Sequence, residues 1–139
     1  MSDHTAEGPR SVYTEEMEAA LAHLARGYGW RLVVLFGSTA RDGQGRDVDL
    51  AILPATLPDL MTEGRWTRQL EALWERPVDL LVLHDGTSPL VRFQVFRDGI
   101  CLYEDRPQLF EREQDRAFFL HADAELLLCH RLEETDGAA

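Results

Sequence analysis

The stretch Val33–Leu53 reads VVLFGSTARDGQGRDVDLAIL. Val33-Val34-Leu35-Phe36 is an apolar run of the length of a buried strand. Gly37-Ser38 follows at once, then a polar segment containing Gly43 and Gly45. Asp47-Val48-Asp49 then opens a second apolar run that ends at Leu53. Side chains alternate faces along a strand, so Asp47 and Asp49 point the same way while Val48, Leu50 and Ile52 fill the other face. Two carboxylates on one face of a half-buried strand repel each other and lose solvation. A cation relieves both costs, and magnesium is commonly held by one or two carboxylates together with phosphate oxygens.

Upstream, Thr14 can cap a helix with Glu15 and Glu16 in its first turn. Met17, Ala20, Leu21, Leu24 and Tyr28 keep helical spacing, and Gly27 and Gly29 end it. Arg31–Phe36 is the first strand. Gly37 lets the backbone approach a ligand closely. Ser38 can cap a short helix over residues 39–42, whose free amides suit a phosphate; a plain turn with a capping serine is the alternative. Arg41 can reach a phosphate or face water. Asp47–Leu53 is the second strand.

Downstream, Pro54 and Pro58 mark a loop, and a helix spans Asp59–Glu75 with Trp66, Leu70, Leu73 and Trp74 as its apolar stripe. Both tryptophans are expected in the core. Val78–Leu83 is the third strand, with Asp79, Leu81 and Leu83 on one face. If this strand neighbours the second, Asp79 joins Asp47 and Asp49. His84, just past the strand that carries Asp79, can lie near the site, though a solvated loop histidine is the expected reading. Ser88-Pro89 starts a helix over Leu90–Arg97, Gly99 stops it, and Ile100–Tyr103 is a fourth strand. From Pro107 a last helix runs to about Glu134, apolar over more than one stripe. One side can cover the sheet, and the other can serve a homo-oligomer or hetero-oligomer.

The chain has 139 residues, enough for one domain with a real core. The division expected is a flexible start at 1–10, a core at 11–105, and a C-terminal helix and tail at 106–139 in the same domain. Lys plus Arg number 14 against 25 Asp plus Glu, a net charge of −11. That argues against broad nucleic-acid binding and suits a basic partner or simply an acidic surface. Cys101 and Cys129 match no metal spacing and are expected to be reduced core residues. No run is long enough to span a bilayer, and no signal peptide is evident. A cytoplasmic location is the default.

The pattern Leu35-Phe36-Gly37-Ser38, Ala40-Arg41, Asp47-Val48-Asp49-Leu50 and then Pro77-Val78-Asp79-Leu80 resembles the DNA polymerase β-like nucleotidyltransferases. It looks most like the minimal nucleotidyltransferases (MNT), which are encoded beside HEPN-domain partners. The resemblance covers roughly Glu15–Glu104. Eight residues separate Ser38 from Asp47, a spacer shorter than the family's usual one. Asp42 and Arg46 stand where the family commonly has Gly and Ser.

The resemblance implies an α/β nucleotidyltransferase fold, a mixed sheet of about four strands flanked by helices. It implies Asp47, Asp49 and Asp79 as catalytic and metal-binding residues, with Mg2+ or Mn2+ as the ion. Gly37, Ser38 and Arg41 would hold the phosphates of ATP. The function implied is that of an antitoxin transferring AMP from ATP to a tyrosine hydroxyl of a HEPN ribonuclease toxin. Two rivals stand beside it: a nucleotidyltransferase acting on an aminoglycoside-like small molecule, and a non-catalytic antitoxin acting by contact.

Overall fold

The computed structural model describes residues 13–37 and 47–138, with side chains described as far as residue 131. The elements in order are α1 (Glu15–Tyr28), β1 (Trp30–Phe36), β2 (Val48–Pro54), α2 (Leu60–Trp74), β3 (Val78–Val82), α3 (Pro89–Arg97), β4 (Ile100–Glu104) and α4 (Leu109–Ala138). The expected strands and long helices all form, most with ends shifted by a residue or two. The last helix starts two residues later than expected, at Leu109, and runs on to Ala138. The short helix expected over residues 39–42 lies outside the described residues, as do Ser38 and Arg41.

Local signals set these boundaries. The Thr14 and Ser88 hydroxyls each accept a backbone N–H three residues on, both at 3.2 Å, and Asp59 does the same for Thr62 at 2.8 Å. Gly29, at φ 76°, closes α1 in the left-handed conformation that glycine takes without a Cβ penalty.

The four strands form one sheet in the order β3-β2-β1-β4. β1 pairs antiparallel with both β2 and β4. β2 and β3 run parallel, joined through α2. The sheet is therefore mixed, and β2 carries Asp49 between two neighbours.

A core lies on each face. On one, Val33, Leu35, Leu50 and Ile52 meet Leu21 and Ala25 of α1 and Trp66, Leu70 and Trp74 of α2, all buried. Both tryptophans are core residues, as expected. On the other face, Leu32, Val34, Ala51 and Leu83 meet Val95 and Phe96 of α3 and Leu109 and Ala117 of α4. The cysteine expectation holds only in part. Cys101 is half-buried, and burial pushes its thiol up to about 11, but Cys129 is exposed on the outer part of α4. Leu126, Leu127 and Leu128 are exposed there too, because α4 continues past the residues that pack on the sheet.

One charged side chain is buried in this second layer. Arg92 of α3 is 2% exposed. Its Nη2 donates to the His84 carbonyl, which ties down the loop after β3. Its Nη1 lies 3.5 Å from Glu113 Oε1 of α4, an ion pair without the alignment of a hydrogen bond. Removing one partner of a buried pair leaves the other desolvated and uncompensated. Arg116, 3.8 Å from the same Glu113 oxygen, softens that loss. Arg92→Ala is expected to lower stability by about 2–4 kcal/mol, read as a lower urea midpoint. Glu113→Gln should cost less, because Arg92 keeps the His84 carbonyl.

Candidate active site

Each acid of the proposed set arrives by strand geometry. Asp47 immediately precedes β2, and Asp49 is its second residue. Asp79 is the second residue of β3, and the parallel register sets Asp49 directly beside it. Register partners point to the same face, and neighbouring strands lie about 4.8 Å apart. The Val48 N–H donates to the Pro77 carbonyl at 2.9 Å, carrying the pairing to the very mouth of the two strands. Asp49 alternates with Ala51, and Asp79 with Leu81 and Leu83, so the acids lie on the α3/α4 face of the sheet. They stand at its edge, where the apolar layer stops.

The electrostatics agree with that placement. The Asp49 carboxyl is held above its ordinary value of 3.8, first by burial, then by the charges of Asp79 and Asp47. Each of the other two acids therefore bears on Asp49. Asp47 and Asp79 are exposed, and Asp49 is half-buried between them.

On the other side of β2, Phe36 is the register partner of Asp49. Gly37 follows at φ 76°. A Cβ at Gly37 would be driven into the Asp49 carboxylate, its Cγ 3.0 Å and its Cβ 3.2 Å away. Glycine is required twice over, for the backbone conformation and for this approach. The turn thus presses against the central acid and leaves a cradle that a side chain would fill. Ser38 and Arg41, the other expected phosphate contacts, lie outside the described residues. His84 is exposed at the far end of β3, where its Nδ1 accepts the Gly86 N–H at 2.9 Å, away from the acids.

The donor set fits a hard divalent cation: oxygen ligands only, clustered negative charge, and backbone pressed close beside it. Among the described residues, no group of three His, Cys, Asp or Glu side chains already converges as a finished ligand cage.

Sequence reasoning missed what lies on the β4 side of Gly37. A hollow of about 230 Å³ opens there, lined by Phe36, Gly37, Gln94, Arg97 and Asp98. The three α3 and turn residues come from far along the chain. Only the pairing of β4 with β1, which sets Ile100 beside Leu35, brings them here. A larger hollow of about 460 Å³, lined by Ala20, His23, Leu24, Gln69, Ala72 and Leu73, lies between α1 and α2 on the opposite face and contains none of the acids.

Residues 21–108 match the family model described as polymerase β, nucleotidyltransferase, which is more than half of the chain. Solved structures share the fold. A toxin–antitoxin crystal structure with AMP-PNP is 25% identical, covers 87% of this chain and 97% of that chain, and has a TM-score of 0.65. A structure of tri-AMPylated Shewanella oneidensis HEPN toxin in complex with MNT antitoxin is 23% identical, covers 89% and 97%, and scores 0.63. The toxin–antitoxin MntA–HepT is 22% identical, covers 90% and 98%, and also scores 0.63. No curated protein matches the chain. No helix among the described residues is long and apolar enough to cross a membrane.

The raised carboxyl has a signed consequence. A folded-state value above the unfolded one means that stability is full below the ordinary value of 3.8 and falls as pH rises through the folded value. Asp49→Asn removes that loss. It should raise the melting temperature at neutral pH, and the gain should vanish once pH drops below about 4. Like charges on neighbouring strands cost up to about 1 kcal/mol. Asp49 is partly solvated, so a gain of a few tenths of a kcal/mol, roughly 1 °C, is expected. Scanning calorimetry of both proteins across pH checks it.

Proposed function

The chain belongs to the polymerase β nucleotidyltransferase family, and from that premise we propose that it is an antitoxin enzyme transferring AMP from ATP to a tyrosine hydroxyl of a HEPN ribonuclease toxin. One observation carries the catalytic reading: Asp49 and Asp79 stand side by side across parallel strands, with the Gly37 turn pressed against Asp49. An open backbone turn and three carboxylates thus share one strand mouth, which supports reading them as a phosphate cradle beside a metal-binding cluster. The partner reading draws support from the company the fold keeps, namely a toxin–antitoxin with AMP-PNP and a tri-AMPylated HEPN toxin in complex with MNT antitoxin.

The chemistry is in-line displacement at the α-phosphorus of ATP. The tyrosine oxygen forms the new P–O bond, pyrophosphate leaves with the electron pair of the broken bond, and the tyrosine proton goes to a base. Asp47, Asp49 and Asp79 would hold Mg2+ or Mn2+, which when bound neutralises the phosphates and lowers the pKa of the attacking hydroxyl. Asp79, exposed on the edge strand β3, would take the proton of the incoming acceptor. Gly37, with Ser38 and Arg41 by sequence, would hold the phosphate tail. Positioning and charge complementarity supply most of the rate in such a transfer.

An acidic chain of net charge −11 also fits a basic partner surface. The apolar outer part of α4, with Leu126 to Leu128 exposed, is available for contact with another chain.

The test is the intact mass of a co-expressed HEPN partner. Adenylyl units should appear with the native chain and magnesium. With Asp47→Asn, Asp49→Asn or Asp79→Asn the transfer rate should fall on the order of 100-fold or more, while the variants keep their folded circular dichroism spectra. Chelation with EDTA should abolish transfer and be reversed by added Mg2+. A partner neutralised equally well by the acid-to-amide variants, with no added mass, would establish a contact antitoxin instead.

A further inference from the structure

The hollow beside Gly37 has features that the family match does not explain. It lies on the α3/α4 face, the face the acids occupy, with Phe36 and Gly37 as the wall shared with the acid cluster. Its outer wall is held rigidly. Gly99 has no room for a side chain, since a Cβ there would be driven into the Val95 carbonyl and come within 2.6 Å of Val34 Cγ1 on β1. The turn therefore packs directly on β1 and fixes Arg97 and Asp98 beside the end of that strand.

Arg97 is set up as a ligand group. Its Nε donates to Asp98 Oδ2 at 3.0 Å. Its guanidinium lies over the Phe93 ring, 5.6 Å from the centroid, and Phe93 is in turn stacked on His121 at 4.0 Å. These contacts engage Nε and set the Cζ carbon over the ring. The two terminal nitrogens have no partner among the described residues, and this pair of donors is the arrangement that matches a phosphate bidentately. Among the described residues lining the hollow, Arg97 is the one cation, and Gln94 adds an amide beside it.

We propose that Arg97, with Gln94 next to it, binds the polyphosphate tail of the nucleoside triphosphate on the β4 side of Gly37. The inference rests on the reading that ATP is the substrate. When the α-phosphorus stands at Asp47 and Asp49, the rest of the triphosphate carries most of its charge away from them, past Gly37. The hollow is smaller than the roughly 300–1,000 Å³ of a site that encloses a whole ligand, so it takes one part of the nucleotide. The cation selects the phosphate end over the base. The Asp98 carboxylate weakens the anion's pull but keeps the guanidinium oriented through Nε.

Titration calorimetry with magnesium tests it, using ATP, AMP and inorganic tripolyphosphate against the native chain, Arg97→Ala and Arg97→Lys. Charged hydrogen bonds of this type convert to about a ten- to hundredfold change in affinity. Arg97→Ala is expected to weaken ATP and tripolyphosphate by that factor and leave AMP within twofold, with an unchanged melting temperature because Arg97 is half exposed. Arg97→Lys should lie between. In steady state, KM for ATP should rise more than kcat falls. Equal losses for ATP and AMP would place Arg97 at the nucleoside end and overturn the proposal, as would no loss for either. A native chain that binds neither ATP nor tripolyphosphate would overturn the ATP reading and this inference with it. Native ATP binding that Arg97→Ala leaves intact would overturn this inference alone.

Discussion

Asp49 is caught between a neighbour on each side. On β3, Asp79 stands in register with it, one strand spacing away. On β1, the Gly37 turn comes so close that no other residue fits there without displacing the carboxylate. Both contacts follow from β2 lying between β1 and β3, antiparallel to one and parallel to the other. A parallel β2–β3 pair needs a crossover, and α2 supplies it while filling the core on the far face. Hence Trp66, Leu70 and Trp74, buried on the opposite face from the acids, hold the crossover helix that lets two carboxylates stand side by side.

The fold can absorb this repulsion because of where it is placed. Asp47, Asp49 and Asp79 sit at the mouth of the strands, beyond Ala51, Leu81 and Leu83, where the apolar layer has ended. A like-charged cluster deep inside would shift to neutral or unfold the chain. At the strand mouth, solvent carries part of the cost, and burial with the two neighbouring charges pushes the Asp49 carboxyl up. The cluster thus stands where solvent reaches it, with Asp47 and Asp79 exposed and Asp49 half-buried between them.

Much of this was legible in the sequence because it depends on local period. The alternation at Asp47-Val48-Asp49-Leu50 shows which face the acids take. Thr14, Asp59 and Ser88 mark helix starts by hydroxyl and carboxylate chemistry that needs no tertiary context. Asp79 was legible as one member of a strand face, but its meeting with Asp49 depended on strand order, which period alone does not determine. The same gap hid Gln94, Arg97 and Asp98. Nothing in the local pattern of α3 distinguishes Arg97 from a solvated helix-end arginine, a favourable place for a cation in any helix. Cys129 misled for a related reason. Its apolar neighbours Leu126, Leu127 and Leu128 imply burial, yet α4 outruns the sheet that would have covered them.

The two sides of Gly37 differ in charge, with carboxylates alone on one and the Arg97–Asp98 pair on the other, and that difference is a consequence of topology. β1 divides the site, with three carboxylates toward β2 and β3 and a guanidinium toward β4. On the proposed reading, a triphosphate laid across the Gly37 backbone would meet the acids at the reacting phosphorus and the arginine at its tail. In a chain of net charge −11, an anionic substrate must be drawn by local arrangement against the field of the whole. A cation held by the acids and an arginine beyond the turn would do this from both ends. Neither is needed to build the sheet, because the cores on its two faces close without them. Binding and stability are therefore separable here, and side chains at the strand mouth can be tuned for substrate while the buried pairing beneath them stays unchanged.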